Sequence, residues 1–175
     1  MIELTGFPAP VYALRRYRPK PRGLQDEFSR KIIALKYDSE DAIEYFASMI
    51  MGRLGTRAIS CEPHLISTVP TTGRGLSSLG KRLAKQLSCS FRDDVFVDTD
   101  IADKIRRPYY TPSFEERLKS IRLKARIRDK SILLLDDVIT SHATMQAALQ
   151  LIVDGRPSAV LALALGYSGD QQSFA

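Results

Sequence analysis

The sequence predicts an α/β fold, a mainly parallel twisted sheet with helices on both faces, and three observations carry that expectation. From Leu65 to Leu165, segments with strand character alternate with segments whose apolar residues recur at helical spacing. The strand-like segments, Ser131 to Leu135 and Ala159 to Leu165 above all, are continuous apolar runs, the pattern of strands covered on both faces. At 175 residues, with 44% hydrophobic and 26% charged side chains, the chain is long enough to bury one core without staples. We read it as a single domain, with residues 1–55 as an N-terminal extension or hood and residues 56–175 as the α/β core.

Taken in order, Val11 to Tyr17 mixes β-formers with arginines before Pro19 and Pro21, which predicts a short edge strand. Arg15, Arg16, Arg18, Lys20 and Arg22 there read either as a basic arm or as a solvated edge that discourages strand addition. Leu24, Phe28, Ile32 and Leu35 mark one amphipathic helix, and Ile43, Phe46, Ala47, Ile50, Met51 and Leu54 a second. The acidic cluster from Asp38 to Asp41 suits the start of the second, and Gly55 its stop. Leu65 to Val69 reads as a strand ending at Pro70, followed by a helix on Leu76, Leu79, Leu83 and Leu87. Val95 to Val97 predicts a strand, Ser113 to Arg122 a short helix, and Met145 to Ile152 a helix closed by Gly155 and Pro157.

Chemistry concentrates where the apolar strand Ile132-Leu133-Leu134-Leu135 runs into Asp136-Asp137-Val138-Ile139-Thr140-Ser141-His142-Ala143-Thr144. Two adjacent carboxylates after a buried strand repel each other and lose solvation, so a ligand or cation is the natural compensation. The hydroxyl-rich stretch beyond them feeds a helix whose first amides have no intrahelical acceptor. Carboxylates of this kind bind sugar hydroxyls or Mg²⁺, and such a turn binds a phosphate monoester.

This segment resembles the phosphoribosyl pyrophosphate signature of the type I phosphoribosyltransferases. The resemblance implies that Asp136 and Asp137 contact the ribose hydroxyls, directly or through Mg²⁺, and that Val138, Ile139, Thr140, Ser141, His142, Ala143 and Thr144 form the 5-phosphate loop. His142 stands where the family has Gly or another small residue, and it either clashes with the phosphate or donates to it. The segment Ser29 to Tyr37, and Val69-Pro70 leading through Arg74 to a Leu-rich helix, are similar to the ComF branch, although the four-cysteine zinc module of that branch is missing. By the same resemblance Thr71, Thr72, Gly73 and Arg74 would form a pyrophosphate loop holding a non-proline cis peptide. Ile101 to Arg126, with Arg106 and Arg107, would be a mobile loop that closes over the reacting center. The implied activity is transfer of a phosphoribosyl group from phosphoribosyl pyrophosphate to a nitrogenous acceptor with release of pyrophosphate. Thr140 replaces an Asp common in purine-type members, which argues against a 6-oxopurine acceptor.

Other readings fare less well. Gly75 to Arg82 imitates a nucleotide-binding P-loop, but Arg82 replaces the Mg²⁺-binding Ser or Thr. Cys61-x-x-His64 is half a metal site without a second half, and both cysteines read as packing residues. An excess of six positive charges favours an anionic partner, so a non-catalytic ribose-phosphate sensor and a DNA-associated accessory protein stay open as alternatives, as does a homodimer. No apolar run reaches membrane-spanning length, and a start that turns basic only at Arg15 is unlike a secretory signal, so a cytoplasmic location is expected.

Overall fold

The computed structural model describes residues 1–17, 25–54, 62–70, 73–99 and 112–168. The described elements are β1 (Ile2–Leu4), β2 (Val11–Arg16), α1 (Glu27–Lys36), α2 (Glu40–Leu54), β3 (Leu65–Thr68), α3 (Arg74–Gln86), β4 (Ser90–Arg92) and β5 (Phe96–Asp98). They continue with α4 (Phe114–Ser120), β6 (Ile121–Leu123), β7 (Ser131–Ile139), α5 (Ala143–Asp154) and β8 (Ala159–Tyr167). The main sheet has the order β1-β2-β8-β7-β3-β4, parallel throughout except for the antiparallel β1–β2 pair, while β5 and β6 form a small antiparallel ribbon.

The apolar runs have the meaning expected of them. Along β7, Leu133 and Leu135 join a core with α1, α2 and α3, whereas Ile132 and Leu134 join a second core with α5. Each strand residue thus has a helical layer to bury against, which is why no polar face survives. Glycine permits the closest of these approaches. A Cβ at Gly75 would stand 1.7 Å from the carbonyl oxygen of Leu35, so the start of α3 lies directly on the last turn of α1.

Two strand expectations change. Val11–Arg16 is not an edge, because β1 pairs outside it; β1 is only three residues long and carries no periodicity by which to find it. Arg15 lies over the Phe28 ring at 5.7 Å, while Arg18, Lys20 and Arg22 fall outside the described residues, as does Gly55. The strand expected to stop at Leu135 continues to Ile139, since β8 runs beside it to Tyr167 and supplies backbone partners beyond the end of β3. Residues 1–54, read as an extension or hood, supply β1 and β2 to this sheet and α1 and α2 to one helical layer. Cys89 packs at the edge of that layer, and Cys61 lies outside the described residues. Among the described residues no helix is long and apolar enough to cross a membrane.

Candidate functional site

β3 and β7 pair only as far as Thr68 and Leu135, where the Val69 amide donates to the Leu135 carbonyl at 2.9 Å. Asp136 and Asp137 follow at once, so they stand inside β7 rather than beyond it, at the level where β3 has ended and β8 still pairs. The Asp137 amide donates to Asp136 Oδ1 at 2.8 Å, and the Val138 amide donates to Asp137 Oδ1 at 2.7 Å. Both carboxylates therefore fold back onto their own strand.

Strand alternation sends the two side chains to opposite faces. Asp136 sits opposite Ala164, which belongs to the α5-side core, and only 8% of it is exposed. Asp137 reaches the other side, where Lys36 Nζ at the end of α1 lies 3.5 Å from its Oδ2. Burial above all, and then the charge of Asp137, push the Asp136 carboxyl well above the usual carboxylate range; the Asp137 amide and Lys36 oppose that rise. Sequence reasoning missed Lys36, whose only local cue was its place in the last turn of a helix.

Beyond Ile139 the chain turns through Thr140, which is exposed, and half-buried Ser141 into α5. His142 is the N-cap residue, yet its side chain makes no cap hydrogen bond, and the first turn of α5 holds no acidic residue. The Gln146 amide closes the first helical turn on the His142 carbonyl at 2.8 Å, and the amides before it point out of the helix end toward the turn. The imidazole is held edge-on by Phe7, 5.3 Å between centroids, and lies 6.2 Å from the Tyr167 ring. Burial lowers its pKa, which favours the neutral ring. Of the remaining loop residues, Ile139 and Ala143 bury their side chains in the protein and Val138 packs against the α1–α3 layer, leaving Thr140, Ser141 and half-buried Thr144 to offer hydroxyls.

At the end of β3, Gly73 is the N-cap of α3 and Arg74 its exposed first residue, so Arg74 opens a helix instead of lying within a loop. Thr71 and Thr72 lie outside the described residues, as do Arg106 and Arg107; the described peptide bonds include no cis bond. Gly75 and Gly80 are interior to α3, packed on Leu35 and Phe91, which rules out a P-loop there. His64 works at the opposite end of the sheet, where its Nδ1 accepts from the Ser131 amide at 3.0 Å. A second residue missed from the sequence is Arg117 on α4. It is fully buried and donates from Nη2 to Asp98 Oδ2 at 2.8 Å, tying α4 to β5.

No group of three or more metal-ligating side chains exists among the described residues. The half-buried Asp137 carboxylate, just past the end of the described β3 pairing, nevertheless fits Mg²⁺ that arrives with phosphate oxygens and keeps several waters, the mode in which this ion needs one or two protein ligands.

No family model matches the chain, and no curated protein matches it. Among solved structures it is similar to a purine phosphoribosyltransferase from Pyrococcus horikoshii Ot3, at 16% identity over 80% of this chain and 73% of that one, with a TM-score of 0.41. Adenine phosphoribosyltransferase from Leishmania donovani is 15% identical over 89% and 70% of the two chains, with a TM-score of 0.46. Phosphoribosylpyrophosphate synthetase from Mycobacterium smegmatis is 14% identical over 70% of this chain but only 33% of its own, with a TM-score of 0.39.

Proposed function

We propose that this chain binds phosphoribosyl pyrophosphate with Mg²⁺ and transfers the phosphoribosyl group to a nitrogenous acceptor, releasing pyrophosphate. One observation carries the reading: a buried carboxyl with a raised pKa and a half-buried neighbour stand past the last β3 pairing, in a strand that leads, through a hydroxyl-rich turn, to a helix N-terminus without an acidic or capping side chain. A ligand that presents vicinal hydroxyls beside a phosphate monoester satisfies both halves at once.

In this reading Asp136 and Asp137 accept hydrogen bonds from the ribose hydroxyls and set the orientation of the sugar. Thr140, Ser141 and Thr144 join the α5 amides around the 5-phosphate. Thr71, Thr72, Gly73 and Arg74 receive the pyrophosphate, with Arg106 and Arg107 as further cations toward it; of these six, Gly73 and Arg74 lie among the described residues. Bound Mg²⁺ would supply charge neutralisation between the sugar and the pyrophosphate. The bond from ribose C1 to the pyrophosphate oxygen breaks as the bond to the acceptor nitrogen forms, and the acceptor's proton leaves to solvent. The protein's share is orientation and electrostatic support of the departing charge by Arg74.

Calorimetric titration with phosphoribosyl pyrophosphate, with and without Mg²⁺, tests the site. Wild type should bind, and Asp136→Asn/Asp137→Asn should lose binding while keeping its circular dichroism. Equal affinity in the double variant would remove the assignment. Pyrophosphate release across a panel of nitrogenous bases tests turnover, and binding without release for every base would make the protein a sensor.

A further inference from the structure

Lys36 is not used by the reading above, yet its position ties together the two ends of that site. It follows Leu35, whose carbonyl lies against Gly75 in the first turn of α3, one residue after Arg74. Its own ammonium reaches the other way, to Asp137. The last turn of α1 therefore runs from the helix that Arg74 opens to the acidic pair on β7.

A lysine in the last turn of a helix ordinarily points to solvent and complements the helix dipole. This one faces a carboxylate. The separation of 3.5 Å lies past ordinary hydrogen-bond length, and the Lys36 side chain is 56% exposed, so the pair is a loose electrostatic contact that a stronger anion can take over. Among the described residues it is the ion pair made by the acidic couplet. An anion more highly charged than a carboxylate, bound beside Asp137 at the end of α1, would compete for the ammonium.

We propose that Lys36 is a ligand-binding residue that neutralises Asp137 in the free protein and transfers its ammonium to the diphosphate of a bound ligand. This rests on the phosphoribosyl pyrophosphate reading and adds a cation from outside both loops to it. The diphosphate oxygens take the charge-assisted hydrogen bond, and Asp137 is released to the ribose hydroxyls and Mg²⁺.

The test uses Lys36→Met and Lys36→Arg with three probes in the presence of Mg²⁺: phosphoribosyl pyrophosphate, inorganic pyrophosphate and ribose 5-phosphate. Lys36→Met should weaken the first two by about 10- to 100-fold, the worth of a charge-assisted contact, and leave ribose 5-phosphate within about twofold of wild type. Lys36→Arg should recover most of the loss. Unchanged affinity of Lys36→Met for pyrophosphate would overturn the proposal, as would an equal loss for ribose 5-phosphate, which would mark Lys36 as a support for the acidic pair alone. If wild type binds none of the three probes, this proposal falls with the function it rests on. If wild type binds and Lys36→Met binds equally, only the role of Lys36 falls.

Discussion

Gly75→Ala tests whether the close seating of α3 on α1 is what holds the site together. In an open helix the substitution should stabilise, because Gly in a helix interior is worse than Ala by about 0.5 to 1 kcal/mol. Gly52 near the end of α2 provides that reference, since an added Cβ there meets nothing within 4 Å. At Gly75 the same methyl would lie 1.7 Å from the Leu35 oxygen and 2.7 Å from its carbonyl carbon. An ordinary contact requires roughly 3.2 Å or more, so the two helices must part by about 1.5 Å, and backbone, unlike a side chain, cannot swing aside. Overpacking on that scale costs about 1 to 3 kcal/mol and exceeds the propensity gain. Urea denaturation of both variants should give opposite signs, with Gly52→Ala more stable and Gly75→Ala less stable than wild type. For a domain of this size each kcal/mol moves Tm by about 2 to 4 °C. Because the turn that must move carries Lys36, Gly75→Ala should also lose affinity for phosphoribosyl pyrophosphate while Gly52→Ala keeps it. If Gly75→Ala gained stability as Gly52→Ala does, the reasoning about this contact would be wrong.

The other predictions concern charge. Asp136 has a folded pKa above its unfolded value, so the native state holds the extra proton; stability is full below the unfolded pKa and falls, by up to about 1.4 kcal/mol per pH unit, as pH rises toward the folded pKa. Asp136→Asn keeps an oxygen for the Asp137 amide and should flatten that decline in urea melts run with chelator, becoming more stable than wild type at pH 7; parallel profiles would count against a buried acid. His142 has the opposite sign: its folded pKa is lowered, so stability is lost as pH falls through about 6.5 and the unfolded chain takes up the proton. His142→Phe should keep the ring contacts with Phe7 and Tyr167 and remove that part of the acid sensitivity, read as the wild-type-minus-variant difference between pH 7 and 5. Arg117→Met removes the guanidinium from a pair whose side chains are 0% and 1% exposed and should cost about 3 to 5 kcal/mol in chemical denaturation. A loss below about 1 kcal/mol would mean that water reaches Asp98.

Much of the architecture could be read locally. Apolar blocks at Ile132–Leu135 and Ala159–Leu165 are long enough, and free enough of polar alternation, to require cover on both faces. Helical stripes in α1, α2, α3 and α5 located the cover itself. The acidic pair was conspicuous because charge inside an apolar strand needs a reason. Strands β1, β4 and β6 were not legible, the last read as the end of a helix to Arg122, since three residues carry no period and exist as strands because β2, β3 and β5 present backbone groups to them. Nor could the sequence reveal that the imidazole of His142 rests on Phe7, that Arg117 is buried with Asp98, or that Val138 and Ile139 pack while their neighbours carry hydroxyls.

Composition and periodicity were enough to place the longer apolar strands and the amphipathic helices, and to show that a carboxylate couplet would be followed by a helix start. Those properties depend on neighbours along the chain, where spacing decides which side chains share a face. Only the tertiary structure decided that β7 outruns β3 and carries Asp136 and Asp137 past the last β3 pairing, and that the end of α1 brings Lys36 to one of them. Those facts depend on which backbones pair and how closely two helices approach, distances set by packing between residues far apart in sequence.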